Sequence, residues 1–322
     1  MNCEADIAAS LGQALKEAQD ESRPLVHRLR VLASLGSSAD RFLAKLTVGT
    51  DSPVEEKGAA PAVFPAKVEE LRTEMVQFLS EAANCFHHSL NPALHRRGIH
   101  FRTFAELSVP QQQRANQFFC QAALPVLTPL GFDPGRPFPK ISNFSVNLAV
   151  GLVDTQGRKR FARIKVPDGL PQFLRLDPMP QMAQGSAETS LLWLEDLIMA
   201  NLGQLFPRIT IMRAHPFRII RGQPLAHKVT NDAPRANRQA KRLARVVLLQ
   251  TERQMPDPML QILTHNLKVH ASAVYRGEGL LSLSRLSHLA TSDLLAANDP
   301  PREKIVSLSH RAAHHSEREL SA

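Results

Sequence analysis

Residues 118–152, FFCQAALPVLTPLGFDPGRPFPKISNFSVNLAVGL, constrain the fold most, because the period of the apolar residues changes inside them. Just upstream, Ser108, Pro110 and Gln111 form a capping box: the serine caps the helix start, the glutamine sits at the third helical position, and proline fits the first turn. Ala115, Phe118, Phe119, Ala122 and Ala123 then recur at helical spacing. Proline disfavours helix at the residue before it, so this helix is expected to end near Pro125. Pro129, Pro134, Pro137 and Pro139 predict an extended, irregular path. Beyond it Phe144, Val146, Leu148, Val150 and Leu152 point one way, and Ser145, Asn147, Ala149 and Gly151 the other. That alternation predicts a strand with one buried face. The change of period near Ile141 predicts an α+β chain. A helical bundle should span about residues 5–110, an α+β domain with a mainly antiparallel sheet 111–298, and a polar tail 299–322.

Elsewhere the pattern is simpler. Leu11, Leu15 and Ala18 start a helix; Pro24 opens another, faced by Leu25, Leu29, Leu32 and Leu35. Val68, Leu71, Met75, Leu79, Ala82 and Phe86 mark a long amphipathic helix expected to end before Pro92. His87, His88 and His95 near its end do not share a helix face, so no metal site is expected there. Asp154 to Gly157 reads as a hairpin turn, followed by a strand with Ala162, Ile164 and Val166 on one side and Arg163 and Lys165 on the other. Leu191, Leu194, Leu197, Ile198, Leu202 and Leu205 predict a helix ended by Pro207, and two strands are expected around a turn at His215–Pro216. Residues 243–250, LARVVLLQ, read as a strand, and Asp257–Pro258 opens a helix faced by Leu260, Leu263 and Leu267.

No run of 18 apolar residues occurs, so no membrane-spanning helix is expected. MNCEADIAAS lacks the basic and apolar regions of a secretory leader. Cys3, Cys85 and Cys120 have no metal-ligand spacing and read as reduced thiols, two of them in helical cores. A cytoplasmic protein is the expectation.

The motif PVLTPL-x-x-DPG-x-PFP-x-ISN-x-S-x-NLAV resembles the signature joining the N-terminal and middle domains of type 1 polyphosphate kinases. LKEAQDESRPLVHRLRVLASLGSSADRF is similar to that family's LEEAQDES-x-PLLERLRFLAIFSSNLDEFF. RFARIKVPDGLPQFLRL, LEDLIMANLGQLFP and VYRGEGLLSLSRLSHL also resemble family segments, and the likeness runs over about residues 11–290. It implies a family that moves the γ-phosphate of ATP onto a histidine and then onto polyphosphate. The chemistry of that family lies in two C-terminal phospholipase-D-like domains, which are expected to be missing here. ATP and magnesium are therefore expected only if another chain supplies a catalytic half. The family's asparagine that contacts the ATP base is expected at Ala39, whose methyl side chain cannot replace an amide. His215 lies in a family turn motif and is read as structural. No nucleotide-cradling glycine loop of the G-x-x-x-x-G-K-[ST] type occurs. No catalytic, ATP-binding or metal residue is thus expected.

The net charge of +9 is local. Residues 208–253 hold eleven Lys or Arg against Asp232 and Glu252, and the rest of the chain balances. This points to an anionic partner at one place. The expected polyanion site is Arg235, Arg238, Lys241, Arg242 and Arg245, joined by Arg218 and Arg221. Residues 228–245 contain no aromatic residue, so stacking platforms for single strands are missing and only sequence-independent phosphate attraction remains. Three readings follow: a non-catalytic binding or assembly module, truncated relative to the family, that pairs with itself or with a full-length kinase and takes polyphosphate; one subunit of a split kinase; or sequence-independent nucleic-acid binding.

Overall fold

The computed structural model describes residues 3–48, 64–132, 138–177, 188–224 and 245–296. The chain forms two compact units: residues 1–43, 73–94 and 282–322 in one, and 44–72 and 95–281 in the other. The described stretch after Leu281 belongs with the N-terminal helices in the first unit.

The first unit is helical. α1 (Cys3–Gln19) and α2 (Leu25–Lys45) flank the expected break at Pro24. Leu25, Leu29, Leu32 and Leu35 are all buried. Arg28, itself buried, donates from Nε to the Ala18 carbonyl at 2.8 Å and from Nη2 to Ser89 Oγ at 2.6 Å. α3 (Ala66–Cys85) does not stop before Pro92. It passes through a π turn at Phe86–Leu90 into α4 (Asn91–His95). Pro92 follows directly on this π turn, where the regular i→i−4 ladder is already interrupted. The late segment enters at Gly36: a Cβ there would meet Leu283 Cβ at 2.7 Å and the Ser284 amide at 2.8 Å. Backbone-close packing of this kind needs glycine.

The second unit is built on a sheet. Two short strands precede residue 102, β1 (Thr47–Val48) and β2 (Ile99–Phe101), where only helices were expected. The capping box forms: Ser108 N donates to Gln111 Oε1 at 2.9 Å, opening α5 (Val109–Phe118). A π turn at Phe119–Ala123 and a 3-10 turn at Leu124–Val126 end it beside Pro125. Then come β3 (Leu130–Phe132), β4 (Val146–Val153), β5 (Lys159–Lys165), β6 (Phe173–Arg175) and β7 (Thr189–Trp193). α6 (Leu194–Ala200), α7 (Leu202–Leu205), β8 (Thr210–Arg221), β9 (Gln223–Pro224), β10 (Val246–Glu252), α8 (Asp257–Leu267) and β11 (Val274–Gly277) follow, and α9 (Leu286–Ala290) and α10 (Asp293–Ala296) complete the first unit. Six strands run in the order β11-β10-β8-β4-β5-β3, antiparallel except for the β10–β11 pair. A smaller sheet has the order β2-β7-β6.

Three local expectations change. Leu191 belongs to β7 rather than to a helix, and the helical stretch is broken at Asn201, whose φ and ψ are −111° and 15°. His215 and Pro216 lie inside one strand, not in a turn between two. β10 pairs with β8 only as far as Phe217↔Thr251, so the ring of Pro216 interrupts no bond of that ladder. Last, both faces of β4 are covered. Val146, Leu148, Val150 and Leu152 share a core with Ala115, Phe119, Leu194 and Leu197. Asn147 and Ala149 on the other face are also fully buried, and a Cβ at Gly151 would touch Met259 of α8 at 3.4 Å.

Candidate functional site

At one end of the six-stranded sheet β4 begins, β8 ends and β10 begins. Arg221 pairs with Val246 in register, and Gly222 N donates to the Arg245 carbonyl at 3.1 Å. The basic stretch between Gly222 and Arg245 therefore leaves and returns at this end. Arg221 N also donates to Asn143 Oδ1 at 2.9 Å, which ties the start of β4 to the end of β8. Arg221 and Arg245 are half-buried and Lys140 is exposed. Residues 140–145, 218–224 and 245–246 contain no acid.

The turn before β4 is held from below. Ser145 Oγ donates to the Ser142 carbonyl at 2.9 Å, and Asn147 Nδ2 donates to the Ser145 carbonyl at 2.8 Å. Asn147 Oδ1 in turn accepts from Arg163 Nε at 2.7 Å. Burial pulls the Arg163 pKa below its ordinary value. Above this network Phe144 stands at φ 65° with 40% of its surface exposed, and its N–H donates to the Ile219 carbonyl at 3.0 Å. A left-handed backbone is rare for a bulky residue. The alternation of the sequence placed Phe144 on the buried face of the strand; the structure puts it outside the strand.

The expected polyanion row divides. Arg221 and Arg245 meet at this end. Arg218 is 2% exposed and donates from Nε to Gln250 Oε1 at 2.6 Å, so it is not presented to an outside anion. Arg235, Arg238, Lys241 and Arg242 lie outside the described residues. His215 Nδ1 is 2.7 Å from Glu252 Oε2, a contact in the middle of β8. Among the described residues no group of three or more His, Cys, Asp or Glu is placed to hold a metal ion. The rings of His95 and His100 lie 4.8 Å apart, and burial, with His100 and Arg102 adding to it, lowers the His95 pKa. Cys85 is buried, which raises its thiol pKa; Cys120 is exposed.

α2 changes the reading of Ala39. The helix runs unbroken from Leu25 to Lys45, and Ala39 is fully buried in it. An uninterrupted helix favours alignment without a gap, in which the asparagine of SSNLDEFF falls on Ser38 and its leucine on Ala39. Ser38 is half-buried, and its Oγ accepts from Arg41 Nη2 at 3.3 Å. Both Ser38 and Ala39 lie in the middle of this continuous helix, neither with an amide side chain. Arg30, Ala33, Ser34, Ser37, Ser287 and Thr291 line an open groove of about 250 Å³ beside it.

The described residues thus form a helical unit and an α+β unit whose main sheet is mostly antiparallel. The overall fold matches a polyphosphate kinase from Porphyromonas gingivalis with a TM-score of 0.70 over 95% of this chain and 43% of that one, at 20% identity. Residues 110–289 match the polyphosphate kinase middle domain and residues 12–102 its N-terminal domain, so the chain belongs to the polyphosphate kinase family. Polyphosphate kinase 1 of Chlorobaculum tepidum is 34% identical over 302 residues, covering 90% of this chain and 43% of that protein. A polyphosphate kinase of Mycobacterium avium is 34% identical over 301 residues, covering 89% and 41%. The chain thus spans less than half the length of these relatives. Among the described residues no helix is long and apolar enough to cross a membrane.

Proposed function

We propose that this chain is a non-catalytic binding and assembly module of the polyphosphate kinase type, acting in the cytoplasm. It holds a polyanion, polyphosphate first of all, at the cationic end of the six-stranded sheet, and pairs with itself or with a full-length polyphosphate kinase. The observation that carries this reading is the meeting of Arg221 and Arg245 at adjacent strand ends, from which the basic stretch departs and to which it returns. Phosphate contacts carry no sequence information, so a uniform polymer suits such a site. Each neutralised phosphate steepens the salt dependence. Labelled polyphosphate titrated at rising salt should bind the wild type tightly at low salt and release sharply. An Arg238→Ala, Arg242→Ala, Arg245→Ala triple variant should bind weakly throughout. Equal affinity of the two proteins, or no binding by the wild type at low salt, contradicts the reading.

A second reading is one subunit of a split kinase that works with ATP and magnesium when another chain supplies the catalytic half. The two readings part on mixing. Under the first, the chain with ATP, magnesium and the separately expressed C-terminal half of a polyphosphate kinase makes no more polymer than that half alone. Under the second, synthesis rises only in the mixture.

A further inference from the structure

We infer that the turn between α4 and β2 binds the phosphate groups of a phosphorylated ligand through the guanidinium groups of Arg96 and Arg97. The turn lies on the smaller sheet, and the inference stands independently of the polyanion reading of the larger one. Gly98 N donates to the His95 carbonyl at 2.9 Å and closes the turn, so Arg96 and Arg97 occupy its two central positions. Gly98 stands at φ 72°, which glycine adopts without strain, and its carbonyl accepts from Thr189 N at 2.6 Å, anchoring the turn to β7. His95, Arg96 and Arg97 are all exposed, and neither arginine makes a hydrogen bond or ion pair among the described residues.

An exposed arginine is ordinary on a protein surface. Three features set this pair apart. Residues 91–105 carry His95, Arg96, Arg97, His100 and Arg102 and no acid. The acids nearest to them are already engaged. Glu188 accepts from Arg102 Nη2 at 3.2 Å and lies 3.9 Å from His100 Nε2, while Glu106 accepts from Thr103 N at 2.7 Å and from Thr103 Oγ1 at 2.8 Å. Last, the rings of His95 and His100 lie 4.8 Å apart, and partial burial, then His100 and Arg102, hold the His95 pKa below its ordinary value. The positive surroundings of the turn thus act on a group next to Arg96 in the chain. The planar fork of arginine matches phosphate oxygens two at a time, and two adjacent forks suit a ligand with more than one phosphate. A bound phosphate reverses the charge that His95 meets, so binding should draw a proton onto its ring. A bare phosphate chain and the phosphates of a nucleotide share this chemistry.

The His95 ring protons, followed by NMR in the full-length chain, read the site directly. Inorganic tripolyphosphate and ATP, each without magnesium, are titrated into the wild type, an Arg96→Gln, Arg97→Gln variant and an Arg221→Ala, Arg245→Ala variant. Glutamine keeps a polar side chain at exposed turn positions, so the fold is retained. In the wild type the His95 signal should move with tripolyphosphate, and its titration midpoint should rise by about one pH unit. The affinity read at His95 should fall about tenfold in the Arg96→Gln, Arg97→Gln variant and be unchanged in the other. An equal response to tripolyphosphate and ATP assigns the site to the phosphates of either source; a response to tripolyphosphate alone assigns it to the bare chain. Three results overturn the inference: a His95 signal that tripolyphosphate leaves unmoved, wild-type affinity in the Arg96→Gln, Arg97→Gln variant, or a response to ATP alone, which would place recognition on the base.

Discussion

The two ends of the six-stranded sheet handle charge in opposite ways. At the end where β4 runs into the β5 hairpin, cations sit on carboxylates. Asp154 accepts from the Arg158 amide at 2.9 Å, from Arg158 Nε at 2.9 Å and from Arg160 Nε at 3.1 Å. Where β10 ends, midway along β8, His215 Nδ1 contacts Glu252, Arg253 Nη1 lies 2.8 Å from Glu278 Oε1, and Arg276 bonds Asp257. At the other end Lys140, Arg221 and Arg245 stand in chain segments without acids, beside an exposed aromatic ring. Locally neutralised charge gives turns and strand ends their geometry. The difference teaches that net charge is informative only once it is placed: residues 208–253 carry the whole excess of +9, and their described cations are spread from Arg208 to Arg221 along β8 and from Arg245 to Arg253 along β10.

The support under the cationic end should fail first. Asn147→Ala leaves the Arg163 guanidinium buried without the amide oxygen it donates to, and a hydrogen bond to a buried charge is worth about 2 kcal/mol. Urea unfolding should show that loss, together with weaker polyanion binding. A variant of wild-type stability would show that the network is not what holds the turn. Phe144→Asn tests the strain instead. Asparagine tolerates the left-handed region, so stability should rise by about 1 kcal/mol while the ring is lost. A fall in the unfolding midpoint would remove the case for strain.

The smallest expected effect is at the acid-paired end. The Arg158 amide, opposed by partial burial and aided by the Arg158 and Arg160 side chains and the Gln156 amide, holds the Asp154 pKa well below the usual carboxylate range. A depressed folded-state pKa gives stability that is present above the ordinary carboxylate pKa and is lost as pH falls through the folded value. Asp154→Asn should therefore unfold slightly more easily at pH 7, and the gap to wild type should shrink with acid. A gap that stays constant from pH 7 to pH 2.5 would contradict that coupling.

Local features were legible in the sequence because short-range chemistry writes them. The Ser108–Gln111 capping box, the break at Pro24, the Asp154 turn and the period-two run of β4 all follow from neighbours in the chain. Features set by distant segments were not. Alternation tells which way Ala149 and Gly151 point, but not that α8, more than a hundred residues later, covers them with Met259. Prolines mark helix ends where the regular i→i−4 ladder runs on, and a π turn already interrupts it before Pro92. Phe144 continued the apolar alternation and so read as core; the Ser142–Asn143 turn signal just before it was the available warning. Its proximity to Arg221 and Arg245 exists only through strand pairing.

The most direct test sets one end of the sheet against the other. The full-length chain is titrated with labelled polyphosphate at several salt concentrations, alongside an Arg221→Ala, Arg245→Ala variant and an Arg158→Ala, Arg253→Ala variant. Both variants remove the same charge. The first should bind roughly tenfold more weakly, with a shallower salt dependence, and the second should bind as the wild type does. Equal losses from the two ends would mean that polyphosphate responds only to net charge, and the assignment of binding to one end of the sheet would be wrong.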